Sequence, residues 1–139
     1  MSVNALKSQG MTIGIGDGAS PEVFTTISEI SSISGPGGQA AVIDTTDLSS
    51  LAKEKRMGLP DEGQITLDMN WIPKNVQHAL LRTKRTAQVA VNFRITFTDS
   101  PATTWTFAAF VLGHPVSNSV DEVTKGNVTL EVSGAVTEV

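Results

Sequence analysis

The sequence predicts a mainly β protein, an antiparallel β-sandwich or barrel with one short packed helix and a long extended loop. Several segments alternate apolar and polar residues with a period of two, which is typical of half-buried strands. One segment, residues 34–63, interrupts this pattern with small and polar residues. At 139 residues the chain can bury a real core, so we expect a single domain over residues 1–139.

The first strands are expected to be short. One is predicted at residues 11–15. Between Val23 and Ile33, β-forming residues are frequent, but the apolar positions drift along the segment. We therefore expect one strand there, interrupted by a bulge.

Residues 34–63 are the most informative stretch. Compact domains rarely contain connections longer than about 12–15 residues unless these have a function or are disordered. Short apolar anchors along the segment argue against disorder. We expect it to fold onto a neighbouring copy, with glycines as a hinge and a helical turn at Leu48–Lys55. The residues expected in this contact between subunits or rings are Gly35, Pro36, Gly37, Gly38, Val42, Ile43, Asp44, Thr45, Leu48, Leu51, Lys53, Glu54, Lys55, Arg56, Leu59, Asp61 and Glu62.

The rest of the chain predicts one helix and four longer strands. After Pro73, Asn75 can cap a helix that runs to Thr83. Its apolar face would contain Val76, Ala79 and Leu80. The alternating segments are residues 64–72, 88–98, 103–112 and 127–137, and their predicted inward residues include Ile65, Leu67, Met69, Trp71, Val89, Val91, Phe93, Ile95, Phe97, Trp105, Phe107, Ala109, Val111, Val128, Leu130, Val132 and Val136.

Composition excludes several classes of protein. The net charge of −4 does not favour a domain that grips nucleic-acid phosphates, and the absence of cysteine excludes disulfides and thiol catalysis. No apolar run approaches the roughly 20 residues needed to span a bilayer, and the N-terminus has no apolar signal region. We expect no membrane partner and assembly in a cytoplasm.

The titratable residues do not form a pattern typical of an active site. For the two histidines, His78 on the helix and His114 before Pro115, surface or turn roles are expected. The acidic side chains in residues 34–63 do not have the spacing of the ligands in a calcium-binding loop. We therefore predict no catalytic residue, no metal and no cofactor. The basic residues Lys53, Lys55, Arg56, Arg82, Lys84 and Arg85 are expected to pair across a subunit boundary with Asp44, Asp47, Asp61 or Glu62.

An ordered set of short segments resembles the major tail tube proteins of long, non-contractile tailed bacteriophages. These segments, as they stand in the sequence, are Phe24-Thr25-Thr26-Ile27, Ile33-Ser34-Gly35-Pro36-Gly37, Ile43-Asp44-Thr45-Thr46, Ala52-Lys53-Glu54-Lys55, Gly58-Leu59, Asp61-Glu62-Gly63 and the closing Val128–Gly134 segment.

This resemblance implies a structural virion protein that assembles into stacked hexameric rings. The rings form a hollow tube through which genomic DNA leaves the virion without specific binding. It also implies contacts with other tail proteins, such as the tape measure, tip and terminator. Because each lysine or arginine that faces the DNA would slow its passage, we expect polar residues in the lumen or outer wall. The residues expected to face the lumen are Thr66, Asp68, Asn70, Thr129 and Glu131.

Two other readings stay open at this point. One is another tube or ring component, such as a tail terminator or the tube protein of a contractile injection system. The other is a β-sandwich carbohydrate-binding module, which would need exposed aromatic residues. Trp71 and Trp105, the chain's two tryptophans, are both predicted to face inward.

Overall fold

The computed structural model describes residues 5–6 and 9–139. Within these ranges the chain forms ten strands and one helix, and no helix there is long and apolar enough to cross a membrane. The elements are β1 (Thr12–Gly16), β2 (Phe24–Thr26), β3 (Ile30–Ser34), β4 (Gln39–Asp44), β5 (Lys55–Asp61), β6 (Gln64–Asn70), α1 (Val76–Ala87), β7 (Val91–Thr96), β8 (Thr104–Gly113), β9 (Val116–Ser117) and β10 (Lys125–Glu138).

Eight strands form one antiparallel sheet. Its order is β2-β1-β7-β8-β10-β6-β3, and the short β9 also pairs with β10. The remaining strands, β4 and β5, pair with each other in a separate two-stranded sheet. The mainly β fold predicted from alternation is confirmed, and the long insert contains a hairpin in place of the expected extended loop.

The two ends of the large sheet are joined by a short connection. β2 lies at one end and β3 at the other, and residues 27–29 link them. The Ile27 N–H donates to the carbonyl of Ile13 (2.8 Å), and the Asn70 N–H donates to that of Glu29 (3.0 Å). Three residues span at most about 11 Å, so the sheet must curve round and bring its ends together as a β-sandwich. The prediction of one bulged strand over Val23–Ile33 was therefore wrong, because the chain changes sheet edge there.

The core lies inside this curved sheet and follows the predicted alternation. Val89 is an exception: it lies outside β7, which begins at Val91, and its side chain is exposed. Trp105, Phe97 and Val136 are half-buried against the core. The buried strand residues are Ile13, Ile15, Ile65, Leu67, Met69, Val91, Phe93, Ile95, Phe107, Ala109, Val111, Val128, Leu130 and Val132.

Helix α1 packs against the sheet through a different face from the one predicted. Asn75 is the N-cap as expected, and its side chain accepts hydrogen bonds from the N–H groups of Gln77 and His78. The helix continues beyond Thr83 and ends where Gln88 adopts a left-handed conformation (φ 58°). Its buried residues are His78 and Leu81, and Leu80 is partly buried against the core as predicted. The prediction was wrong for Val76 and Ala79, which are exposed, because His78 takes a core position.

Candidate assembly surfaces

The hairpin formed by β4 and β5 carries most of the predicted contact residues. Val42 lies opposite Met57, Ile43 opposite Arg56, and Asp44 opposite Lys55. A register shift between Ala40 and Val42 accommodates one extra residue of β5 as a bulge. Residues predicted as a long extended loop are thus held in a defined two-stranded ladder.

Apolar side chains are exposed on both faces of the hairpin. Successive residues of a strand point to opposite faces, so Val42 and Ile43 project in opposite directions. Both are exposed, as are Met57 and Leu59. An isolated two-stranded hairpin is marginally stable in water. This one has no core of its own, because its large apolar side chains are exposed.

The tip of the hairpin is organised by Asp47. The Oδ1 atom of Asp47 accepts hydrogen bonds from the Ser49 N–H (2.9 Å), the Ser49 hydroxyl (2.7 Å) and the Ser50 hydroxyl (3.2 Å). The hydrogen bond from the Ser49 hydroxyl, followed by that from its N–H, lowers the pKa of Asp47 below its usual value. The helical turn predicted at Leu48–Lys55 was wrong: this side-chain-capped turn replaces it, and β5 begins at Lys55. Leu48 and Leu51 are fully exposed on the turn.

Two glycines fix the base of the hairpin. Gly35 has φ +93°, a conformation that favours glycine. At Gly38 an added Cβ would collide with the carbonyl oxygen of Asp61, whereas at Gly37 it would meet nothing within 4 Å. Gly38 is therefore required for close strand approach, which a hinge role alone does not explain.

The five residues predicted to face the lumen share one sheet surface. Thr66 pairs with Thr129 across β6 and β10, and Asp68 pairs with Asn127. Core residues of the same strands alternate with them, so these side chains lie on the face opposite the core. Asp68 accepts hydrogen bonds from Ser32 (2.9 Å) and Asn127 (2.6 Å). The structure thus assembles Thr66, Asp68, Asn70, Thr129 and Glu131 into one polar patch.

Three stacked aromatic rings, those of His78, Trp71 and His114, connect helix α1 to the segments after β6 and β8. The rings of His78 and His114 each stack on Trp71 with centroid distances of 5.3 Å. His78 is fully buried: Nδ1 accepts the Ile72 N–H (3.0 Å), and Nε2 lies 2.8 Å from the carbonyl of Ser28. Because Nδ1 accepts, Nε2 carries the proton and donates to Ser28. The expected surface or turn role for His78 was wrong, since a polar residue on a helix gives no sequence signal of such partners.

The described residues, 5–6 and 9–139, contain no group of three or more His, Cys, Asp or Glu that could hold a metal ion. Trp71 is 8% exposed and Trp105 is half-buried, with its Nε1–H donating to Glu138 (3.0 Å). Neither tryptophan offers an exposed ring for stacking on a sugar. The surfaces that stand out are therefore the apolar hairpin and the polar patch.

Comparison with known proteins gives one sequence match and a set of structural matches. A family model described as "Phage tail tube, TTP, lambda-like" matches residues 4–104. No curated protein matches the sequence significantly.

Solved structures share the fold at low sequence identity. A chain of the tail of an empty gene transfer agent particle, refined with C6 symmetry, is similar with a TM-score of 0.76 at 13% identity, covering 97% of this chain and 99% of that one. The SPP1 tail tube gives 0.71 at 8% identity, covering 96% and 78%. The sheath-tube complex of an extracellular contractile injection system gives 0.72 at 16% identity, covering 99% and 93%.

Proposed function

Because the chain belongs to the lambda-like phage tail tube family and is a structural protein of the tail tube, we propose that six copies close into a ring and that rings stack into a tube. The bore of the tube is the conduit for genome ejection. The C6 symmetry of the similar gene transfer agent tail supports the number six.

The observation that carries this proposal is the hairpin with exposed apolar residues on both faces. A monomer that left Val42, Ile43, Met57 and Leu59 in water would forgo the free energy of their burial, about 1.5–3 kcal/mol for each fully buried side chain. Contact with a neighbouring copy recovers this free energy. Such a head-to-tail contact repeats by symmetry and builds rings or filaments.

The edge strands at the two ends of the large sheet also favour assembly into a ring. β2 and β3 are edge strands, and edge strands with free backbone groups can pair with other chains. When subunits meet side by side in a closed ring, each edge is covered by a neighbour. Ring closure therefore removes the aggregation hazard of the separate protomer.

The polar patch fits a lining that lets DNA pass. It contains the carboxylates of Asp68 and Glu131 and three neutral residues, and Lys125 pairs with Asn70 at its edge on the same face, so these six side chains carry a net charge of −1. Duplex DNA carries one negative charge per roughly 1.7 Å of its axis, and lysine or arginine contacts would retain it. A neutral-to-acidic wall allows movement without holding the duplex.

We also propose the partners of the protein and the place where it assembles. The protein acts as a building block without catalytic activity, as a single tail-tube domain. It meets the tape measure, tip and terminator proteins in the tail, and copies are made and assembled in the host cytoplasm before they become part of the virion.

Negative-stain electron microscopy of the purified protein at high concentration tests this function. We expect long hollow tubes with six-fold end views. Single rings that never stack would favour a terminator-like role, and a monodisperse monomer at every concentration would contradict tube formation.

A further inference from the structure

A groove runs beside helix α1 on the protomer surface. It is lined by Trp71 and Pro73 on one side and by Ala79, Arg82 and Thr83 of the helix on the other, with a volume of about 480 Å³. The Thr83 hydroxyl donates to the carbonyl of Ala79 (3.0 Å). Since this hydroxyl is satisfied within the helix, the groove offers a mainly apolar surface beside one cation.

The wall of this groove is rigid. Trp71 is held by the two histidine rings that stack on it, and His78 is fixed by its hydrogen bonds to Ile72 and Ser28. A preformed site loses little conformational entropy when it binds. The groove is therefore suited to receive an apolar segment.

Charge distinguishes the helix from the rest of the protein. Helix α1 carries Arg82, Lys84 and Arg85 and no acidic residue, although the whole chain has a net charge of −4. The Arg85 Nε–H donates to the carbonyl of Leu112 (3.2 Å). The guanidinium of Arg82, which lines the groove, makes no ion pair within the described part of the chain.

The hairpin tip has a charge opposite to that of helix α1. The residues between the two strands, 45–54, contain the carboxylates of Asp47 and Glu54 and one base, Lys53, so the tip has a net charge of −1. Leu48 and Leu51 are 106% and 105% exposed, so they do not rest on the helix of their own protomer. The nine residues from Gln39 to Asp47 span about 27 Å. A compact chain of this length has a radius of gyration of about 14 Å, so the hairpin is long enough to reach a second copy.

We propose that the hairpin tip of one copy docks in the groove beside helix α1 of a second copy, with Leu48 and Leu51 in the groove and Asp47 next to Arg82. This inference rests on the proposed self-assembly and specifies its contact. Three hydrogen bonds within the described chain converge on Oδ1 of Asp47, which leaves Oδ2 to accept from a guanidinium.

A second apolar surface fits the tip less well. Phe110 and Leu112 are exposed on β8, but Phe110 pairs directly with Glu131 of β10. Arg85 lies beside Leu112, but a tip that placed Asp47 at Phe110 would bring it next to the carboxylate of Glu131, and like charges oppose docking. The basic helix is the better partner for an acidic tip.

Cysteine crosslinking in assembled tubes tests the contact, because the natural chain has no cysteine. The test variant combines Ala52→Cys, next to Leu51, with Ala79→Cys in the groove; both positions are exposed in the protomer. The matched control combines Ala52→Cys with Ser133→Cys, an exposed position on β10. With a short bismaleimide reagent we expect a ladder of covalent oligomers from the test variant in tubes, and none from the control or from dilute monomer.

Tubes that form normally but link position 52 to position 133 and not to position 79 would overturn the proposed contact and leave tube formation intact. Wild-type protein that forms no tubes would overturn the contact together with the proposed function. The two failures are therefore distinguishable.

A charge exchange gives an independent readout that does not require a crosslink. Asp47→Arg or Arg82→Asp alone should raise the critical concentration for assembly about tenfold, the change that corresponds to about 1.4 kcal/mol. The double variant should return to within about threefold of wild type. Single effects that simply add in the double variant would refute the pairing.

Discussion

The imidazole of His114 stacks on the indole of Trp71, with ring centroids 5.3 Å apart and planes within 10° of parallel. His78 stacks on the same indole from helix α1. Through these rings, the turn after β8, the segment after β6 and the helix form one rigid unit. The position of the helix relative to the sheet is therefore fixed by this stacking as well as by burial of His78 and Leu81.

His78→Ala should destabilise the protomer by about 2–4 kcal/mol. The substitution leaves the Ile72 N–H and the Ser28 carbonyl without their partner, and because these groups are only part-buried, each loss is expected to cost about 1–2 kcal/mol, in the lower part of the range for unsatisfied buried groups. Urea unfolding measures the effect. His114→Ala is the control, with an expected loss of about 1 kcal/mol from stacking. Equal losses for both variants would contradict the special role of the His78 hydrogen bonds.

Gly38→Ala should abolish tube assembly, and Gly37→Ala should not. The added methyl group at position 38 would collide with the carbonyl of Asp61, while position 37 has open space. The base of the hairpin must then open, which misplaces its apolar residues. Limited proteolysis of the hairpin and electron microscopy report the change. Normal tubes from the Gly38 variant would show that the hairpin base adapts.

Replacing Val42, Ile43, Leu48 and Leu51 together by Ser should give a folded monomer that does not polymerise. All four side chains are exposed in the protomer, so their loss removes contacts between copies and leaves the core intact. Circular dichroism and thermal melting should match wild type, while sedimentation should show no polymer. A large fall in melting temperature would instead assign these residues to the protomer core.

Asp99→Asn should lower the melting temperature at pH 7 and have no effect in strong acid. Hydrogen bonds from the Thr103 side chain, then from its backbone N–H, lower the pKa of Asp99 below its usual value of 3.8. The ionised form is favoured in the folded state, so its contribution is present above the unfolded-state pKa and is lost as pH falls through the folded-state pKa. Thermal melts from pH 7 to pH 2 check this, with Ser100→Ala as the control in the same turn. A deficit that persists at pH 2 would contradict the linkage.

Thr129→Cys should react differently with small and large maleimides once tubes form. Thr129 lies in the polar patch proposed to line the bore, where a polymer-conjugated reagent has restricted access. We expect both reagents to label the dilute monomer, and the small reagent alone to label the tubes along their length. Equal labelling of tubes by the large reagent would place the patch on the outer wall.

Much of the large sheet could be predicted because its longer strands, such as β6, β7 and β8, each have one buried face. The alternation of Ile65, Leu67 and Met69, for example, leaves one register that buries all three. The polar partners Thr66 and Asp68 were placed on the opposite face by the same period. These local patterns require no knowledge of distant partners.

The errors fall where distant contacts decide the structure. His78 is buried because the backbone of Ile72 and Ser28 satisfies its ring, and those partners have no fixed spacing in the sequence. The pairing of β4 with β5 depends on close approach at Gly38, where glycine alone does not distinguish a hinge from a contact. Which surface covers the hairpin depends on a second molecule, so it stays a prediction.

The three-residue link between β2 and β3 has a mechanical consequence for a conduit. A force that pulls β2 or β3 away from the sheet also acts on residues 27–29. Through these residues it acts on the edge strand at the other end of the sheet. The two edges of each protomer are therefore mechanically coupled through the covalent chain.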